Sequence, residues 1–342
     1  MAVYTSFSQQ DIDIMQAAYD IGDWHHICAI EEGSENSNFF LKTAHDRYIL
    51  TCFEKDISPK DLHFFITLKR NLAKQNMSIA AHVQTKKGDD FLSLSFAGHE
   101  KIILLSKWLE GNALHPFDLQ QTYQAGAMLA KLHMGLADFP LQREDAFTLS
   151  HNAMLLEDSL IALSRSKQQC DILSTYNEKW HSHIKQAIEF CYHNMHALEK
   201  EQSLPKGICH LDYFPDNILW VKQHISGVID FYFAAYEVFI YDIAIALNAF
   251  AINPKTRYDK GIANAFLEGY QSERALEIAE KQALHFYQQK AAIRFGATRL
   301  HDYLFKASPL HGQKRDPYEY IELFHFFNDF EEPEQHKGEQ KA

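Results

Sequence analysis

Asp212, Asn217 and Asp230 are the residues whose types and spacing can carry chemistry. His210, Asp212 and Asn217 stand in the order H-x-D-x-x-x-x-N, and an apolar run broken by a turn leads on to Ile229-Asp230-Phe231. A carboxylate beside a hydroxyl can accept its proton as the oxygen attacks phosphorus. An amide oxygen five residues on, and a carboxylate at the end of the next strand, can share magnesium with phosphate groups. Magnesium keeps several of its waters, so two protein oxygens suffice. Ile218-Leu219-Trp220 and Val228-Ile229 read as a hairpin with Gln223 to Ser226 as its turn, which would hold Asn217 and Asp230 on one rigid element. The competing reading is a polar loop beside a core hairpin, its Asp and Asn only capping turns. Three chemically required residues on a loop and a strand end favour phosphoryl transfer.

The spacing is that of a kinase catalytic loop followed by a metal-binding Asp, with Leu211 where the template has Arg and Tyr232 where it has Gly. A length of 342 residues favours two domains or one large one. The formal net charge of −12 argues against general nucleic-acid binding, which needs a basic footprint. A nucleotide site needs only a few local cations and a metal ion. The five cysteines are odd in number and form no C-x-x-C, so reduced thiols are expected rather than a disulfide framework or a zinc ribbon. His181, His183, Cys191, His193 and His196 share one helical segment, but its apolar stripe turns Cys191 inward and leaves the histidines as solvated surface residues. The N-terminus lacks the basic and apolar regions of a signal peptide, and no apolar run is long enough to span a membrane. These features suggest a soluble, cytoplasmic protein with a small-molecule substrate and neither nucleic acid nor membrane as partner.

The pattern along the chain divides in two. Asp11 to Tyr19 reads as a short helix and Asp61 to Gln75 as a longer one. Around them, Trp24 to Glu31, Phe39 to Lys42, Arg47 to Phe53, Ile79 to Val83, Phe91 to Phe96 and Lys101 to Leu105 read as strands. From Pro116 the periodicity is helical, with Leu119, Tyr123, Leu129, Leu132 and Leu136 as the first apolar face. Further helices are expected over Asn152 to Cys170, Tyr176 to Lys200, Tyr258 to Tyr270, Ala275 to Lys306 with a break, and Tyr318 to Phe330. The expected class is α+β, a bilobal protein kinase-like fold with a small antiparallel β-rich N-lobe and a large, mainly helical C-lobe. Residues 1–107 would bind nucleotide, 108–330 would catalyse and hold the substrate, and 331–342 would be a polar tail. Ser106 to Gly111 is the natural crossover, where backbone groups beside Ser106 and Trp108 would meet the base.

Four segments carry a closer likeness: Gly33-Ser34-Glu35-Asn36-Ser37-Asn38-Phe39; Arg47-Tyr48-Ile49-Leu50-Thr51; His210 to Asn217 with Gly227-Val228-Ile229-Asp230-Phe231-Tyr232-Phe233-Ala234; and Tyr241-Asp242-Ile243-Ala244-Ile245-Ala246-Leu247-Asn248. With these, the chain resembles the aminoglycoside phosphotransferase and choline kinase superfamily, relatives of protein kinases. Within it the chain looks most like bacterial homoserine kinases, from Val3 to about Phe330. The resemblance implies transfer of phosphate from ATP to L-homoserine with Mg2+, feeding threonine synthesis. It implies Asp212 as catalytic base, Asn217 and Asp230 as metal ligands, His210 as a brace for the loop, and Asp242 as a structural residue holding that loop. Asp242 also reads as a helix N-cap.

The resemblance departs from the template in one respect. Kinases place a Lys on the third strand, paired with a Glu on the following helix. Here Thr51 stands near the Lys position, as in the homoserine kinases of this fold, and Asp61 to Gln75 contains no Glu. Phosphate anchoring therefore falls to Gly33, Ser34, Ser37 and Asn38, with Lys55 as a nearby cation. Homoserine carries a carboxylate and an ammonium, so its site needs an Arg and an acid. Arg294 is the better candidate for the carboxylate and Arg299 the second, with Tyr232, Glu237 and Asp302 as further candidates. Two alternatives remain open at this point. One is a kinase for choline, ethanolamine, another amino alcohol or an aminoglycoside. The other is a non-catalytic nucleotide-binding pseudokinase, motivated by the missing Lys. Oligomeric state is not readable from the sequence.

Overall fold

A computed structural model describes residues 5–30, 36–55, 57–96, 99–114, 117–165, 178–195, 203–253, 257–305 and 316–329. The expected Gly33 and Ser34, the Pro116 helix start, Cys170, His196 and the 331–342 tail lie outside these residues.

The N-terminal lobe is built on strand alternation. Helix α1 (Gln9–Ala18), closed by a Ser8/Asp11 capping box, precedes β1 (Trp24–Ile30), β2 (Ser37–Thr43) and β3 (Arg47–Cys52). Helix α2 (Pro59–Lys74) starts on a Ser58 cap with Pro59 in its first turn, and β4 (His82–Val83), β5 (Leu92–Phe96) and β6 (His99–Lys107) follow. The antiparallel order is β1-β2-β3-β6-β4, with β5 also on β6. Successive side chains point to opposite faces, so register sorts them. Phe39, Leu41, Tyr48, Leu50, Cys52, Ile103 and Leu105 bury one face against Met15 and Tyr19. The other face carries the row Phe40–Ile49–Ser106–His82 and, beside it, Asn38–Thr51–Leu104.

The C-terminal lobe is helical: α3 (Leu119–Gly135), α4 (Leu149–Arg165), α5 (Glu178–Asn194), α6 (Phe239–Ala251), α7 (Lys260–Glu273), α8 (Ile278–Phe305) and α9 (Glu319–Asp329). Between α5 and α6 lie β7 (Lys206–Cys209), β8 (Ile218–Val221), β9 (His224–Val228) and β10 (Ala235–Val238). β8 and β9 form a hairpin as expected, but it turns at Lys222 and Gln223 and not over Gln223 to Ser226, while β7 pairs with β10 and clamps the two ends of the intervening segment together. Helix α6 is buried nearly all round, which makes it the axis of the lobe.

Three expectations change. Leu119 and Tyr123 are exposed, because the α3 face that packs is made by Ala125, Leu129, Ala130, Leu132 and Leu136. α8 runs unbroken over its 28 residues. His183 stacks on His325 of α9 at 3.5 Å between ring centroids instead of facing solvent.

Helices α3 and α7 meet backbone to backbone. A Cβ at Gly126 would collide with the Phe266 carbonyl, and one at Gly269 with the Tyr123 carbonyl. Gly126→Ala or Gly269→Ala should therefore destabilise the fold by about 1–3 kcal/mol in urea unfolding, by forcing the helices apart. Gly135→Ala, which meets only the ends of the Gln75 and Met77 side chains, is the milder control. Equal stability of all three variants would overturn this account.

Candidate active site

The catalytic segment is hung on one carboxylate. Asp242 is not the N-cap of α6, which is Val238; fully buried in the first turn of that helix, it accepts from His210 N at 2.7 Å and Leu211 N at 2.8 Å. On its other side stands His133 of α3, Nε2 to Oδ2 at 3.0 Å. Burial keeps the Tyr270 hydroxyl protonated, so it donates to His133 Nδ1 at 2.8 Å and leaves Nε2–H to donate to Asp242. Burial works to raise the Asp242 carboxyl, but the hydrogen bonds from His133 and from the His210 backbone hold it below the ordinary range. Among the described residues His133, Cys209 and Asp242 form the one cluster with metal-ligand spacing. Both His133 nitrogens and both Asp242 oxygens already have protein partners there.

From this anchor the loop turns sharply. Leu211 is left-handed, with φ 59°. His210 Nδ1 accepts from Asp212 N at 3.2 Å, and Nε2 donates to Ile229 O at 2.9 Å. That pattern requires a neutral imidazole, and burial lowers its pKa accordingly. His210 thus ties the base to the strand that leads to Asp230. Asn217 donates from Nδ2 to Asp212 O at 2.8 Å and to Asp212 Oδ2 at 3.0 Å. Its amide nitrogen is taken by Asp212, which leaves the amide oxygen as the atom that can bind a cation. Ile229 N donates to Asn217 O at 3.0 Å, so the hairpin brings the Asp230 strand end beside Asn217. Asp230 is exposed and left-handed at φ 64°. Two oxygen donors on a rigid hairpin, one amide and one carboxylate, suit a hard divalent cation.

On the sheet face expected to meet the nucleotide, the inner row Phe40–Ile49–Ser106 runs up to the crossover, where Trp108 packs edge-on against Phe40 at 5.0 Å. Asn38 shares this face and accepts from Thr51 Oγ1 at 2.8 Å. Ser37 does not. Its register with Cys52 puts it on the opposite face, fully buried, with its hydroxyl bonded to Glu54, so it presents nothing to a phosphate. Lys55 is exposed. A cation absent from the expectations lies closer: Lys69 of α2 donates to Ser106 Oγ at 2.9 Å, and burial pushes its ammonium down to about 8. The helix that carries a Glu in the kinase template carries a Lys here, facing the inner row.

Arg294 of α8, the expected carboxylate partner, is only 2 % exposed. Its guanidinium lies over Phe147 at 4.5 Å, Phe295 at 5.0 Å and Phe233 at 5.7 Å. Its guanidinium interacts with the neighbouring buried Tyr241 hydroxyl, and beyond that contact neither Nη1 nor the hydroxyl has a hydrogen-bond partner. Asp212 is near enough to act on Arg294 electrostatically. The other candidates are placed elsewhere. Arg299, about 140° further round the helix, pairs with Glu319 of α9 at 2.8 Å and stacks on Tyr320. Glu237 accepts from Val238 N and pairs with buried Lys290 at 3.4 Å. Tyr232 lies between the lobes, edge-on to Phe53 and Phe65, while its neighbour Phe233 is the residue beside Arg294.

Residues 26–276 match the family described as "Phosphotransferase enzyme family". The chain belongs to that family. It is 35% identical over 328 residues to a homoserine kinase of Nitrobacter hamburgensis, covering 95% of this chain and 94% of the relative. It is also 35% identical to a homoserine kinase of Beijerinckia indica, over 94% of both chains. An amicoumacin kinase solved with AMP-PNP and Ca2+ superimposes with a TM-score of 0.67 over 94% of this chain and 93% of its own, at 16% identity. A choline kinase from Cryptosporidium parvum superimposes with a TM-score of 0.59 over 93% of each chain, at 16% identity. The α+β bilobal kinase-like fold expected from the sequence is the one found, and the protein is an ATP-dependent alcohol phosphotransferase.

In this phosphotransferase the neutral state of His210 has a pH consequence. Its folded pKa is lowered, so below its ordinary value of 6.5 the unfolded chain takes up a proton that the folded loop resists. His210 therefore contributes stability that is present above about 6.5 and lost as pH falls below it. Urea unfolding between pH 7.5 and 5 should show a smaller loss of stability for His210→Gln than for the wild type. Parallel curves would remove this role.

Proposed function

We propose that this phosphotransferase moves the γ-phosphoryl group of ATP to the side-chain hydroxyl of L-homoserine, with Mg2+, in the cytoplasm, as a step toward threonine. The observation that carries the substrate is Arg294: a buried guanidinium near enough to Asp212 to feel its charge, with no carboxylate in an ion pair with it among the described residues. A buried charge of this kind is costly until a partner arrives. An α-carboxylate supplies that partner, and choline, ethanolamine and aminoglycosides do not. The names of the relatives at 35% identity over nearly the whole chain point the same way.

Asn217 and Asp230 would hold the metal, which when bound supplies positive charge to the phosphates. Asp212 accepts the hydroxyl proton as the oxygen attacks, held in place by Asn217 Nδ2 and by its own N–H on His210. Arg294 orients the substrate by its carboxylate, and the phenylalanine rings around it exclude water. Asn38, Lys69, Ser106 and Trp108 line the nucleotide side. Gly33 and Ser34 keep their expected phosphate role as part of this proposal. Intact Asp212, Asn217 and Asp230 speak against a pseudokinase.

The test is ADP release with Mg2+ and ATP against L-homoserine, L-serine, choline, ethanolamine and one aminoglycoside. Homoserine alone should give a strong response, and activity confined to another acceptor would reject it as substrate. Asp212→Asn should lower kcat by about 10²–10⁴-fold with ATP affinity nearly unchanged. Near-normal turnover would remove Asp212 from the base role. Asp230→Asn should raise the metal concentration needed for half-maximal activity, and an unchanged requirement would move the metal elsewhere.

A further inference from the structure

An α-amino acid brings an ammonium as well as a carboxylate, and the acid that would meet it needs to be identified. Glu237 is not available, being bonded to Val238 N and Lys290. The loop between α3 and α4 offers another. Asp145 accepts from Phe147 N through Oδ1 at 3.1 Å, and the Phe147 ring lies 4.5 Å from the Arg294 guanidinium. Asp145 and Arg294 do not pair, yet Asp145 acts electrostatically on both Arg294 and Tyr241. Phe147 thus links an acid and a guanidinium that act on each other without forming an ion pair.

The loop is also fixed from both lobes. Arg143 Nε bonds Asp61 of α2 at 2.8 Å, while its Nη1 bonds the carbonyls of Tyr232 at 3.2 Å and Ala234 at 3.1 Å. Tyr236 N donates to Arg143 O at 2.7 Å. Two residues on, Asp145 is therefore set in position before any ligand binds.

We propose that Asp145 binds the substrate ammonium, opposite an α-carboxylate held by Arg294 and the Tyr241 hydroxyl, so that the site reads a zwitterion from both ends. This deepens the homoserine reading and rests on it. Asp145 selects the substrate and takes no part in the proton transfer at Asp212. Asparagine at this position keeps an oxygen for Phe147 N but removes the charge.

Steady-state kinetics of full-length wild type and Asp145→Asn, with L-homoserine, 4-hydroxybutyrate (no ammonium) and homoserinol (no carboxylate), test this. The variant should raise KM for homoserine and homoserinol by about ten- to a hundredfold, the worth of one charge-assisted hydrogen bond. KM for 4-hydroxybutyrate and all kcat values should stay within a few-fold. Unchanged KM for homoserine, or an equal rise for all three acceptors, overturns the assignment of Asp145 while leaving the homoserine reading intact. A wild type silent on homoserine overturns that reading and this inference with it. Asp145→Ser, which can also accept from Phe147 N, repeats the comparison if the asparagine variant does not fold.

Discussion

A carboxylate removed wholly from water must have its lone pairs occupied, and Asp242 occupies them with the backbone of the catalytic loop. Desolvation of such a group costs several kcal/mol, offset here by two backbone N–H donors and an imidazole. The requirement runs both ways: the loop needs the acid for its N–H groups, and the acid needs the loop. His133 enters from α3 and Tyr270 from α7, so three helices and the loop are joined through one side chain. The close approach of α3 and α7 at Gly126 and Gly269 brings these partners within reach. Tyr241 precedes Asp242 in the same turn, so one turn of α6 joins the surroundings of Arg294 to the loop.

The cations are redistributed relative to the kinase template. Thr51 and Asn38 bond each other where strand Lys and its phosphate contact are expected, and Lys69 of α2 faces the inner sheet row from the helix. Glu54, near the end of β3, is paired with Lys101 of β6 instead. The two lobes are tied through Arg143, whose guanidinium bridges Asp61 and the segment after Asp230 while lying over Phe65. Charge that other kinases concentrate between strand and helix is here spread between the helix and the lobe junction.

Much of this was legible in the sequence where chemistry fixes spacing. His210, Asp212, Asn217 and Asp230 are local in the chain, so their motif shows before any fold is known. Strand alternation could have placed Ser37 correctly, since Phe39 and Leu41 on the same parity are core residues. Leu119 and Tyr123 misled because helical periodicity marks an apolar face without saying how far along the helix a partner extends. The β7–β10 pair is too short for any period to register. Asp145 and Lys69 belong to no motif, and only tertiary contact gives them a place.

Leu211 shows how such a loop constrains its own evolution. A non-glycine residue in the left-handed region costs about 1–2 kcal/mol, and glycine would remove that cost. Yet the Leu211 side chain is fully buried, and emptying a leucine site costs about 2–5 kcal/mol. The residue that suits the backbone is thus the one the core rejects. Other long side chains remain open to this position, as the Arg of the kinase template illustrates. Drift here is confined to residues that keep the bend strained, and the strained bend is what carries the chain from His210 round to Asp212.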